Sequence, residues 1–184
     1  LRTLCDEVGA LLIFDEVQTG VGRTGDWFAH QKDGVTPDIM SLAKGLGGGV
    51  PIGAMVCTEA VADGFQPGVH ASTFGGNPLV CAAALTVLET IEKDELLTHT
   101  REIGAKLGAS LQRVVDQFDA CVAVRGRGLM RGISVDPDRL DRSAVMVAAR
   151  ERGLLITTAG QDALRLVPPL VVQETHINEA ESII

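Results

Sequence analysis

The sequence predicts an α/β protein with a separate α+β unit behind it. Three observations carry that expectation. Short apolar runs without alternation recur at residues 10–14 (ALLIF), 38–42 (DIMSL) and 53–57 (GAMVC), separated by glycine-rich or helical stretches. Runs of that kind suit strands covered on both faces by helices, as in a parallel sheet. Past residue 120 the pattern changes to paired β segments with short helices between them, the mark of a different layer arrangement. The 184 residues are 46% hydrophobic and 22% charged, a globular composition with room for one or two domains. The boundary is expected near residue 92, dividing the chain into 1–92 and 93–184.

Arg2 to Val8 reads as a helix end closed by Gly9, and Ala10 to Phe14 as a buried strand. Irregular glycine-rich sequence fills 19–37. The second apolar run stops just before Lys44, and the third leads to a short helix, EAVAD, with Thr58 as its cap and Gly64 as its stop. After the loop 65–76, Asn77 at the N-cap and Pro78 at the first helical position open a long helix. A second helix follows Asp94, with Ile103, Leu107, Leu111, Val114 and Phe118 on one stripe. CVAVRGRGLMRGISV reads as two β segments about a Gly126–Gly128 turn. Residues 141–152 form a helix ended by Gly153, LLITT and ALRLV a hairpin, and NEAESII the first turns of a last helix. Because the chain opens on Leu1 without methionine and stops inside that helix, it is expected to be a fragment of a longer protein.

A net charge of −8 argues against nucleic-acid or anionic-membrane partners. No apolar run approaches the roughly 20 residues that span a bilayer, and no signal peptide is visible. Cys5, Cys57, Cys81 and Cys121 are scattered in apolar sequence, as reduced, buried cysteines of a cytoplasmic protein would be. His30, His70, His99 and His176 share no metal-ligand spacing, so no metal is expected.

Chemistry concentrates between residues 11 and 53. LLIFDE is an apolar strand ending in two carboxylates. It could be a solvated strand end, the acidic strand of a P-loop ATPase, or an acid facing a cofactor's ring nitrogen; no G-x-x-x-x-G-K-[ST] motif accompanies it. Gly20, Gly22 and Gly25 spell G-x-G-x-x-G, but no helix opens directly behind them. They read as a close-approach loop rather than a dinucleotide fingerprint. Lys44 is the discriminating residue. It has no charged neighbour between Asp38 and Glu59 and is expected to be desolvated, which favours the nucleophilic neutral amine; the glycines behind it would leave room for a bulky ring. A lysine amine and a carboxylate at a pyridinium nitrogen are what pyridoxal phosphate (PLP) chemistry needs. Adjacent parallel strands would bring Asp15 and Lys44 to one carboxyl edge.

DEVQTGVGRTG, PDIMSLAKGLGGGVPIGA, HASTFGGNPL and LRLVPPL, in this order, resemble the class III aminotransferases, PLP enzymes of fold type I, over essentially the whole chain. The resemblance implies the carboxy-terminal part of a large domain with a mixed or parallel sheet, then a small α+β domain. It implies Asp15 at the pyridine nitrogen, Gln18 near the ring's 3-hydroxyl oxygen, and Lys44 as the Schiff-base lysine and proton carrier. Thr73 would bind the cofactor phosphate of the neighbouring subunit, making the protein a homodimer. Ser72 would touch substrate, and Arg165 would grip a substrate carboxylate. STFGGNPL and GLLITTAGQDALRLVPPL look most like the acetylornithine branch, with 2-oxoglutarate as acceptor and a place in arginine biosynthesis. Ornithine, succinylornithine and 4-aminobutyrate aminotransferases are near relatives. The family's phosphate loop and ring-stacking aromatic lie outside this sequence, so the fragment alone is expected to be inactive. An ATPase module built on LLIFDE and a PLP-fold protein that only binds partners are the rival readings.

Overall fold

The computed structural model describes residues 1–184 and divides into two units, 1–95 and 96–184. In the first, helix α1 (Arg2–Val8) ends on Gly9 in the left-handed conformation, φ 68°. Strands β1 (Ile13–Asp15), β2 (Ile39–Leu42) and β3 (Ala54–Cys57) form a sheet in the order β1-β2-β3. β1 and β2 are parallel, with Asp15 opposite Ser41, and β3 runs antiparallel to β2. Asp38 pins the start of this sheet: its carboxylate accepts the Leu12 N–H at 2.7 Å and the Arg2 guanidinium at 2.8 Å.

The expectation of a doubly buried β1 does not hold. Leu11 and Ile13 are 55% and 60% exposed, because β1 is an edge strand and its outward side chains meet no element of this unit. The crossover from β1 to β2 contains a single 3-10 turn, Ala29–Asp33, and no α-helix. Helix α2 (Glu59–Ala62) begins after Thr58, but the Thr58 side chain makes no capping bond; the Thr58 N–H instead ties back to the Asp38 carbonyl at 3.0 Å. Helix α3 (Pro78–Lys93) starts as expected: the Asn77 side chain accepts the Val80 N–H at 3.2 Å, and Pro78 loses nothing by lacking an N–H there.

The second unit is built on helix α4 (Leu96–Gln117). It buries Ile103, Leu107, Leu111 and Val114 against a sheet ordered β4-β5-β7-β6. The strands are β4 (Cys121–Arg127), β5 (Met130–Val135), β6 (Thr157–Ala159) and β7 (Ala163–Leu166), all antiparallel to their neighbours. Phe118 leaves the expected stripe: α4 ends at Gln117 and the ring is half-exposed. The β4–β5 turn is Gly128–Leu129, not Gly126–Gly128, since Arg127 pairs with Met130. Gly126 is a strand residue at φ 96°, where a Cβ would lie 2.1 Å from the Met130 carbonyl oxygen.

The Arg131 guanidinium fastens this hairpin to α4. It donates to the carbonyls of Gly126 (2.7 Å), Gly128 (3.2 Å) and Gly104 (3.2 Å). Helix α5 (Arg142–Glu151) is capped by Asp141, which accepts the N–H groups of Ser143 and Ala144. The last helix, α6 (Glu174–Ile183), begins well before NEAESII and buries Ile177. All four cysteines are free thiols, as expected, but none is buried: Cys81 is exposed and the others are partly exposed.

Candidate active site

The carboxyl edge of the first sheet carries the candidate residues. Asp15 ends β1, and Lys44 follows three residues after Ser41, the partner of Asp15 on β2. The parallel, in-register pairing therefore brings the acid and the lysine to the same edge of neighbouring strands, whose backbones lie about 5 Å apart. Asp15 Oδ1 accepts the Val17 N–H at 3.0 Å and the Ser41 hydroxyl at 3.4 Å. Its other oxygen takes no bond from the chain and faces outward on an exposed side chain.

Lys44 opens a 3-10 turn, Lys44–Gly47, with a backbone φ of 45°, in the left-handed region that non-glycine residues rarely adopt. It is exposed rather than desolvated, because no side chain of this unit covers the edge at that point. The glycines behind it also work differently from expectation. A Cβ at Gly47 would fall 2.9 Å from Ile52 Cγ2, and one at Gly48 2.7 Å from Val87 Cγ2 of α3. Those two admit protein, not a ligand. Only Gly45, whose nearest neighbour would be Val21 Cβ at 3.8 Å, and Gly49, with nothing within 4 Å, leave space.

The residue that sequence reasoning missed is Glu16. It is 3% exposed, the most buried carboxylate of this unit. Oε2 accepts the Thr19 hydroxyl and the Ala29 N–H at 3.1 Å; Oε1 accepts the His30 N–H at 3.0 Å and meets His30 Nδ1 at 3.1 Å. Burial pushes its pKa up, but the bonds from Thr19, from the His30 and Ala29 backbone and from the His30 ring outweigh it and hold the carboxyl below its usual range. The His30 ring stacks on Phe28 at 5.7 Å and lies against Phe14 of β1. Gln18 sits half-buried in the turn that closes with the Gly20 N–H donating to the Glu16 carbonyl at 2.9 Å. Gly20 is there for close approach, a Cβ lying 2.8 Å from that carbonyl oxygen, and Gly22 and Gly25 have φ of 83° and 97°. This is a loop motif, as expected, and no helix follows to make it a dinucleotide site.

Ser72 and Thr73 lie on the exposed loop before α3. The Ser72 hydroxyl accepts the Gly75 N–H at 3.0 Å, which leaves its own proton to donate. Arg165 is in the second unit, on β7 opposite Thr157 of β6, and its Nε donates to the Thr157 hydroxyl at 3.3 Å. The structure thus brings Asp15, Ser41 and Lys44 to one sheet edge, has Gln18 in the turn that follows Asp15, and carries Ser72 with Thr73, and Arg165, on other elements.

A carboxylate with a free oxygen and an unpaired exposed amine on adjacent strand ends fit the ring nitrogen and the aldehyde of pyridoxal phosphate. No group of three or more His, Cys, Asp or Glu side chains is gathered in a way that could hold a metal ion.

Comparison with known proteins shows the family. The family model described as aminotransferase class-III matches residues 1–184. An acetylornithine aminotransferase of Gloeobacter violaceus is 50% identical over 185 residues, which cover 100% of this chain and 46% of that protein. Among solved structures, ornithine δ-aminotransferase of Plasmodium falciparum superposes with a TM-score of 0.93 at 33% identity, over 100% of this chain and 47% of that one. An amine transaminase from an uncultivated Pseudomonas species, in its PLP-bound form, gives 0.91 at 34% identity, over 99% and 45%. The chain spans just under half the length of the relatives it matches. The family match removes the ATPase reading of LLIFDE.

Proposed function

This chain belongs to the class-III aminotransferases, and from that premise we propose that its protein moves the amino group of N2-acetylornithine to 2-oxoglutarate, giving N-acetylglutamate 5-semialdehyde and glutamate. The observation that supports the pyridoxal-phosphate part of the reading is the parallel β1–β2 register, with Asp15 and Lys44 on one carboxyl edge; the likeness to acetylornithine aminotransferases supports the choice of donor. Residues 1–92 are read as the end of the large cofactor-binding domain and 93–184 as the small domain. The protein is read as a cytoplasmic homodimer; no helix is long and apolar enough to cross a membrane.

When bound, pyridoxal phosphate supplies an aldehyde for the amino group and a ring that accepts electrons from the deprotonated carbon. Asp15, with its free oxygen, holds a proton on the ring nitrogen. Gln18 donates toward the ring's 3-hydroxyl oxygen. Lys44 would hold the cofactor through its aldehyde carbon; once the substrate's amino group displaces it there, the freed Lys44 amine would be placed to take the proton from the substrate carbon that bears nitrogen and to give it back on the cofactor side. Thr73 offers its hydroxyl to a phosphate in the neighbouring subunit, near the N-terminus of α3. Ser72 donates to substrate, and the Arg165 fork, oriented by Thr157, binds a carboxylate.

The test is reduction of the complete protein with borohydride in the presence of PLP, followed by peptide mass spectrometry. A pyridoxyl label on Lys44 is expected; a label elsewhere, or none, refutes the assignment. The likeness to ornithine δ-aminotransferase favours ornithine as the second reading of the donor. Comparing kcat/KM for acetylornithine, ornithine, succinylornithine and 4-aminobutyrate decides between them, and preference for any of the last three overturns the acetylornithine assignment.

A further inference from the structure

Glu16 has spent its whole accepting capacity inside the protein. A carboxylate offers about four acceptor positions, and the Thr19 hydroxyl, the Ala29 N–H, and the backbone N–H and ring Nδ1 of His30 take them. We propose that Glu16 is a positioning residue whose buried carboxylate clamps the loop 17–30 so that Asp15, Gln18 and Lys44 are held where the cofactor meets them. This rests on the cofactor site described above.

Three connections link the clamp to the site. The Glu16 N–H donates to the Ser41 carbonyl at 3.0 Å, fixing the residue after Asp15 to β2. The Glu16 carbonyl closes the turn that carries Gln18 by accepting the Gly20 N–H. The clamped loop also holds Val21, 4% exposed, at φ 56°. A β-branched residue keeps that conformation only where its surroundings over-determine it. A Cβ at Gly45, the residue after Lys44, would meet Val21 Cβ at 3.8 Å, so the loop runs beside the turn in which Lys44 stands at φ 45°. One end of the loop therefore bears on the acid, and its middle passes within side-chain reach of the residue after the lysine.

Glu16→Gln tests the clamp at constant shape. Each carboxylate oxygen accepts a backbone N–H, so either orientation of the new amide turns its NH2 against the N–H of Ala29 or of His30. In the complete protein, PLP titration of the apo form is expected to weaken at least about tenfold, and hydrogen exchange across 17–30 to speed up. Thr19→Val removes one donor and leaves three; a smaller loss of affinity is expected. Leu111→Ala, in the core of the second unit, serves as the control for general destabilisation and is expected to bind PLP as the wild type does at temperatures where both are folded. Wild-type PLP affinity in Glu16→Gln, or an equal loss in Leu111→Ala, overturns the proposal. Labelling of wild-type Lys44, run alongside, separates the causes. Without the label the site reading falls and the proposal with it; with the label and unchanged Glu16→Gln affinity, the proposal alone falls.

Discussion

Asp15→Asn separates cofactor binding from folding at one atom. In the folded chain Asp15 Oδ1 accepts the Val17 N–H and the Ser41 hydroxyl, and an asparagine carbonyl oxygen can accept both, without the help of the charge. The exchanged atom is the other oxygen, which is exposed and takes no bond from the chain, so its replacement by NH2 buries no unsatisfied donor. The apo protein should lose no more than about 0.5 kcal/mol, as for an ordinary surface change. Toward a protonated ring nitrogen the account reverses. The charge-assisted hydrogen bond is worth about 1.5–3 kcal/mol, and an amide turned to present NH2 repels the ring N–H. PLP affinity should fall roughly tenfold to a hundredfold, and turnover should fall at least as far because the ring nitrogen gives up its proton more easily. The assay is absorbance titration of the complete apo protein with PLP, beside a thermal melt of the same sample without cofactor. Unchanged affinity with unchanged turnover would refute the role of Asp15. An apo midpoint lowered by more than about 4 °C, the shift that roughly 1 kcal/mol or more brings at this size, would refute the claim that the fold does not use the second oxygen.

Three further expectations concern the framework. The carboxyls of Glu16, Asp38 and Glu181 all lie below their usual range in the folded chain: Glu16 through its donors against the pull of burial, Asp38 through the Leu12 N–H and Arg2, Glu181 through Arg113 and Ser110. Their contribution is therefore complete above the ordinary carboxylate pKa of about 4 and is lost as pH falls below it; melting midpoints should hold from pH 7 to 5 and drop below about 4, and a midpoint that rises on acidification contradicts the assignment. Gly104→Ala gains about 1 kcal/mol of helix propensity, but its Cβ would sit 2.6 Å from the Gly128 carbonyl. Overpacking against backbone, about 1–3 kcal/mol or more, should win and lower the midpoint; a stabilised variant would show that α4 and the hairpin can part freely. Thr100 is fully buried with a hydroxyl that has no partner, so Thr100→Val should raise stability by about 1 kcal/mol, read by urea denaturation, and a loss would mean that the hydroxyl is satisfied after all.

The placement of Asp15 and Lys44 at the ends of neighbouring strands was legible in the sequence because each follows a recognisable neighbourhood: an apolar run before Asp15, a charge-free stretch around Lys44. Helix α3 was legible for the same reason, Asn77 and Pro78 being adjacent signals of a start. What failed depended on residues far away. Whether a carboxylate is buried is decided by its donors, and those of Glu16 include Ala29 and His30, beyond a loop without periodicity. The glycines after Lys44 look like ligand space until Val87 and Ile52 are seen to fill two of them. The β4–β5 turn moved by two residues because Gly126 and Gly128 both have positive φ, and only cross-strand register says which is the turn. The exposure of β1 followed from its place at the sheet edge, which no local pattern reports.

The crossover between β1 and β2 has a kinetic consequence. A parallel pair needs a long connection, usually an α-helix, and such a helix can form by itself. Residues 16–38 have no such autonomy; their shape exists only once the chain has returned to Glu16. That return spans 14 residues, a distance that an unfolded chain closes on the order of 100 ns, and the strand pairing completed by it spans 26. The β1–β2 pairing that puts Asp15 and Lys44 on one edge is thus written within about 30 consecutive residues and carries little loop entropy. During synthesis, this edge can take shape while the hairpins that carry Arg165 are still inside the ribosome.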